Sequence, residues 1–359
     1  MEFDENASTS DVSDEFEVTA GLILTHILVS ILSIIAIGGN ALTIIVFTRN
    51  ATLRNNPQSN RHIMSLATAD LGVGLIPLPL LIVVTTLDRW PFGVVMCMLK
   101  SIIEGSFLIV TIYTIAFISL DRYLLVHKEY PVYLEAQTKR KVNMQISFTW
   151  VFSIVTMTTN EIVYYEVVGF NDTTADDLYC NFHTIPETLS NLFLLFILLF
   201  VPMSVIAYFN LNTFLNIRKR ILRRRRVGIM DDGASATVNT VAVNPSKNDR
   251  AQNADDMSSK FPNVHRPTDK NKSSTHVDFK RRYIKPAIMM GVILSTFLVC
   301  WAPLGITGVM KNFTMVFEDR RHWKWIHLIM YADSVFNPIL YAITNKKVRI
   351  AMVKCIKWK

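Results

Sequence analysis

Asp70, Glu104 and Asp333 stand inside apolar runs and Asp121 at the end of one, where an ionised group is costly. A lone carboxylate in such a setting needs a partner, a cation or a proton, and intramembrane acids of this kind mark functional sites. Asp121 is followed directly by Arg122 and Tyr123. The chain shows no nucleophile–base–orienter set, no glycine-rich phosphate loop and no clustered metal ligands. The chemistry on offer is charge recognition and charge switching rather than catalysis. No cofactor is called for.

Spacing groups these residues. Asn40, Asp70, Thr111, Asp333, Ser334 and Asn337 could share one hydrated polar cluster. The alternative is a set of independent helix–helix hydrogen bonds, each worth about 0.6 kcal/mol. Glu104 lies seven residues after Cys97 and 18 before Arg122. On a helix the second interval is five turns, so both side chains share a face about 27 Å apart. Glu104 could hold an external cation, or pair with Lys100 one turn above it. Arg122, at the end of the same run, is either snorkelling to a boundary or held by Asp121 until helices move.

The elements that must position them are membrane helices. The chain has 359 residues, 50% of them hydrophobic, and the apolar ones fall in seven blocks: 21–47, 62–86, 95–120, 143–165, 188–215, 284–310 and 323–344. A helix needs about 20 mostly apolar residues to cross a bilayer, and lipid-exposed backbone must be helix or closed barrel. These blocks are too long for barrel strands and lack strict alternation. The expected fold is an all-α membrane protein, a seven-transmembrane helix bundle. Pro202 and Pro303 fall within the fifth and sixth helices and allow bending.

Orientation follows from the Lys/Arg bias. With the amino terminus outside, inner segments carry 29 Lys/Arg and outer segments five. The net charge of +8 then sits on the inner face, where it suits anionic membrane lipid; nucleic acid is not needed to explain it. Residues 1–20, with seven acids and no Lys or Arg, read as an extracellular tail and not a signal peptide. Residues 21–216 hold helices one to five. Residues 217–282 carry the basic run Arg223-Arg224-Arg225-Arg226 and stay polar, so they read as a disordered third inner loop flanked by helix extensions. Residues 283–344 hold helices six and seven, and 345–359 a basic amphipathic helix on the inner surface.

Cys97 and Cys180 both face the oxidising side, where a bridge would pin the second outer loop over the bundle. Cys300 lies mid-membrane. Cys355 is either a palmitoylation site or a plain thiol. Topology selects Asn6, Asn171 and Asn312 as glycosylation sequons.

Asn40, Asp70, Cys97, Asp121-Arg122-Tyr123, Trp150, Pro202, the Cys-Trp-Ala-Pro run at 300–303 and the Asn-Pro-Ile-Leu-Tyr run at 337–341 together resemble the landmark set of rhodopsin-like G-protein-coupled receptors. The resemblance covers residues 21–356 outside the third inner loop. It implies a plasma-membrane receptor with a heterotrimeric G protein as partner. Arg122 would engage that protein, with Asp121, Tyr123 and Tyr341 in the switch. Trp301 would sense ligand, and Ile112, Pro202 and Phe297 would relay its repacking. Asp70, Thr111, Ser334 and Asn337 would bind a sodium ion as an allosteric modulator.

Two positions depart from the pattern. Asp333 places a second acid near Asp70, and Asn210 replaces the usual tyrosine. Glu104 stands where amine receptors carry an aspartate, with Tyr331 beside it. Leu108, Phe182 and His327 would line the same pocket, His327 as ligand contact or as structure. A small cationic ligand is implied. The fifth helix, Tyr208-Phe209-Asn210-Leu211 and Phe214-Leu215-Asn216-Ile217, is similar to the third and fourth histamine receptor subtypes. Leu198, Leu304 and Gly305 do not follow that pocket. A peptide receptor is the alternative, on the acidic amino tail and on Gly305 and Gly308. A light-sensing protein is excluded, because Tyr331 stands where the Schiff-base lysine would.

Overall fold

The computed structural model describes residues 5–54, 59–128, 130–168, 180, 196–239, 285–313 and 320–357. Among these the chain is helical. The first span is α1 (Glu5–Arg49), followed by a single turn, α2 (Ala51–Arg54). The second is α3 (Ser59–Leu75) with α4 (Pro77–Leu87), and the third is α5 (Gly93–His127). After α6 (Tyr130–Ala136) the fourth is α7 (Lys139–Val168). A π-helical turn, Phe196–Phe200, leads into the fifth, α8 (Val201–Asn239). The sixth is α9 (Lys285–Phe313), the seventh α10 (Arg320–Thr344), and α11 (Lys346–Lys357) closes the chain.

One boundary differs from the sequence reading. α1 begins at Glu5, so most of the acidic tail is helical. That tail holds no Gly or Pro to interrupt a helix. α8 continues to Asn239, the helix extension expected beyond 216. The basic run there is made of good helix formers, so the third loop starts as an extension of the fifth span.

Among the described residues many large apolar side chains are exposed and many polar ones are buried, unlike in a water-soluble protein. Ile34 and Val299 are each 70% exposed, while Asn40 is wholly buried. Among the described residues four helical stretches are long and apolar enough to cross a membrane: Ala20–Arg49, Asn60–Leu87, Gly93–His127 and Trp325–Thr344; Gly291–Thr307 is a shorter one. The fourth span buries Gln145, Thr149, Ser153, Asn160 and Glu161, which lowers its hydropathy.

Proline shapes the spans. Pro77 opens α4, where its missing N–H costs no helix hydrogen bond, and the preceding Ile76 takes φ −120°, ψ −70°, outside the helical basin. Pro303 and Pro338 lie inside α9 and α10. α5 is the hub, packed on α3, α7, α8 and α9, while α1 packs on α3, α4 and α10. The first and seventh spans meet at Gly39, where a Cβ would come 2.7 Å from Pro338 Cγ. Only glycine permits that approach.

The core runs through Ile112, Ile206, Phe297, Trp301 and Val335. A second cluster joins Phe47, Ile118 and Tyr341 to Val348 and Met352 of α11. Asn345 Oδ1 accepts the backbone N–H of Lys347 (3.1 Å), the capping expected of asparagine at a helix start. α11 thus buries Val348 and Met352 and exposes Ile350, Val353 and Ile356.

Candidate functional site

At one end of the bundle Cys97, where α5 begins, is disulfide-bonded to Cys180. Trp90 packs with the pair, and its Nε1 donates to Gly93 O (2.8 Å). Cys180 has φ +49°, a left-handed conformation uncommon outside glycine. Its carbonyl accepts from Lys100 Nζ at 3.1 Å. The same ammonium lies 2.7 Å from Glu104 Oε2, one turn down the helix. The other carboxylate oxygen, Oε1, accepts from the hydroxyl of Tyr331 on α10. Glu104 is therefore paired within the chain, with Lys100 as one of its two alternatives had it, and with Tyr331 as well. The His327 ring lies 6.2 Å from that of Tyr331. Leu108, a turn below Glu104, packs half-buried on the core. Phe182 lies outside the described residues.

At mid-depth the expected polar cluster assembles. Asn337 Nδ2 donates to Asp70 Oδ2 (2.9 Å). Asn40 Nδ2 donates to Ser334 O and to Ala36 O, each at 2.9 Å. The Gly39–Pro338 contact brings Asn40 that close to the seventh span. Ser334 and Asp333 stand next to Asp70. Trp301 Nε1 points to Asp333 Oδ2 at 3.4 Å, and the indole stacks on Phe297 with centroids 5.6 Å apart. Thr111 is buried on α5; the partners around Asp70 come from α10. Asn40 Oδ1 and Asn337 Oδ1 are buried acceptors with no donor.

At the opposite end Asp121 Oδ1 accepts from Tyr133 Oη of α6 at 2.9 Å. Arg122 is 9% exposed. Beside it His62 lies flat against Phe117 (5.9 Å, 9° between planes), with its Nε2 3.2 Å from Gln145 Oε1. Asn210 Nδ2 donates to Ser119 Oγ (2.9 Å) and to Ile206 O (2.8 Å). Tyr123 stacks on His127 (3.9 Å) and meets Phe209 (5.1 Å). His127 contacts Asn216, and Arg220 donates to Val126 O (2.7 Å). These bonds tie the fifth span and its extension to the third. Tyr341 Oη is buried with no partner.

Tyr133, His127, Asn216 and Arg220 were not assigned to the site by sequence reading. Tyr133 and Asp121 are 12 residues apart across a turn, and Arg220 and Val126 are 94 apart; no periodicity announces either pairing. Cys355 is a free thiol, half-buried against the α11 cluster. Asn171 lies outside the described residues; Asn6 falls in α1 and Asn312 in α9.

Residues 39–341 match the family described as 7 transmembrane receptor (rhodopsin family). A probable G-protein coupled receptor, No18, of Amphibalanus amphitrite is 26% identical over 98% of this chain and 94% of its own length. The human cholecystokinin receptor type A is 26% identical over 91% of this chain and 79% of its own. The mouse 5-hydroxytryptamine receptor 2C is 25% identical over 91% and 70%. The matched region contains every landmark whose geometry is set out above, from Asn40 to Tyr341, and the chain belongs to the rhodopsin family of seven-transmembrane receptors.

Proposed function

We propose that this multi-pass plasma-membrane receptor answers a small ligand carrying a protonated amine, whose ammonium binds at Glu104. The receptor transmits that event to a heterotrimeric G protein at the Arg122 end. The observation that carries the reading is the buried Glu104 carboxylate, shared between Lys100 and Tyr331 two turns below the Cys97–Cys180 bridge. A buried acid at the mouth of a receptor bundle is an anchor for positive charge. The amino terminus is extracellular on this reading, as the Lys/Arg asymmetry favours. Among amines, the fifth-span sequence around Asn210 favours a histamine-like ligand. Trp301, between the pocket and Asp333, carries the signal inward.

A sodium ion suits the mid-bundle cluster. Asp70 supplies charge there, and the buried acceptors Asn40 Oδ1 and Asn337 Oδ1 lack donors.

A peptide ligand is the second reading. It is favoured by the similarity to cholecystokinin receptors and by Lys100 already occupying Glu104. The deciding experiment is G-protein activation in cells against a panel of biogenic amines, on wild type and Glu104→Gln. A response to one amine, lost in Glu104→Gln, supports the proposal. Silence across the panel with receptor at the surface, or loss of a peptide response on truncating the amino tail, moves the assignment to peptides.

A further inference from the structure

The Glu104 site holds two charges, not one. Lys100 Nζ and Glu104 Oε2 are 2.7 Å apart, with side chains 16% and 9% exposed. Neither group is saturated. An ammonium has three N–H donors. Glu104 and the Cys180 carbonyl take two of them, which leaves one. A carboxylate has about four acceptor positions, and Tyr331 and Lys100 use two.

Charge balance then restricts the ligand. A simple amine that takes over Glu104 leaves Lys100 as a part-buried cation held only by neutral acceptors. A simple anion on Lys100 leaves the site with an excess negative charge. Buried charges without counter-ions are strongly unfavourable. A ligand head that carries both signs adds no net charge and leaves every buried ion paired.

We propose, resting on the reading of Glu104 as the ligand anchor, that the recognised head group is zwitterionic and of the α-amino-acid type. Its ammonium binds Glu104 and its carboxylate takes the remaining donor of Lys100. The two receptor charges are in direct contact, which suits a head whose own charges are one carbon apart. Tyr331 keeps the Glu104 carboxylate oriented, and Cys180 O keeps Lys100 from swinging away. The remainder of the ligand points toward Leu108 and Trp301.

The test uses matched pairs, each an amino acid and its decarboxylated amine: histidine with histamine, tyrosine with tyramine, tryptophan with tryptamine. G-protein activation is measured on the full chain, with surface labelling. In wild type one amino acid activates, and its amine requires a concentration higher by at least about tenfold, the value of one charge-assisted hydrogen bond. Lys100→Met removes the preference for the acid, and Lys100→Arg retains it. If Lys100→Met fails to reach the surface, Lys100→Met combined with Glu104→Gln leaves no lone charge and must answer neither member of the pair. An amine that equals or outperforms its amino acid on wild type overturns the zwitterion proposal and leaves the Glu104 anchor standing. Activation by either member that persists in Glu104→Gln overturns the anchor itself. Silence to every pair overturns both.

Discussion

Asn210 on the fifth span donates to Ser119 on the third at 2.9 Å, two residues before the Asp121-Arg122-Tyr123 run. In this arrangement Arg122 is buried, so the bond belongs to the closed state of that end. Interhelical bonds of this kind contribute about 0.6 kcal/mol. Ser119→Ala removes the acceptor while Asn210 keeps its bond to Ile206 O. Basal nucleotide exchange on the G protein is expected to rise, by no more than about threefold. A fall in basal exchange at equal surface density would show that the bond supports the open state.

The Lys100–Glu104 pair has a stability signature separate from ligand binding. Removing one partner of a buried ion pair costs about 3–5 kcal/mol, whereas replacing both with apolar groups costs far less. Glu104→Gln or Lys100→Met alone should therefore lower the melting temperature of detergent-solubilised receptor more than the double substitution. Additive losses in that cycle would mean that the two side chains do not depend on each other.

Asp70 and Asp333 divide the mid-bundle site between two acids. Basal nucleotide exchange should be lower in sodium than in N-methylglucamine for the wild type. Asp70→Asn should remove that difference, because it removes the carboxylate that Asn337 holds. Asp333→Asn should reduce it only in part, since its amide oxygen can still accept from Trp301. Equal sodium sensitivity in all three proteins would place the ion elsewhere.

Gly39→Val should weaken the fold itself. Its Cβ would stand 2.7 Å from Pro338 Cγ, and overpacking of this kind costs about 1–3 kcal/mol. The expected result is a lower melting temperature and less receptor at the surface. Gly38→Val, where an added Cβ meets nothing within 4 Å, is the control and should behave as wild type.

Much of this receptor was legible before its structure. The seven spans follow from block hydropathy, because each must satisfy its own backbone in lipid and so declares itself locally. The Lys100–Glu104 pair was also within reach, since residues four apart on a helix are neighbours. Asn345 could be read as a cap from the break between the seventh span and the amphipathic run. The start of α1 was not legible, because a hydropathy block marks where lipid stops and not where a helix stops.

By itself the sequence determined which side chains are placed in the membrane, at what depth, and on which face of their own helix relative to one another. Tertiary structure alone decided which of them meet. Tyr331 reaches Glu104 across 227 residues and Asn337 reaches Asp70 across 267. Such pairings depend on the rotation and tilt of each span, and those are set by close contacts between neighbouring helices, such as Gly39 against Pro338, which hydropathy does not encode.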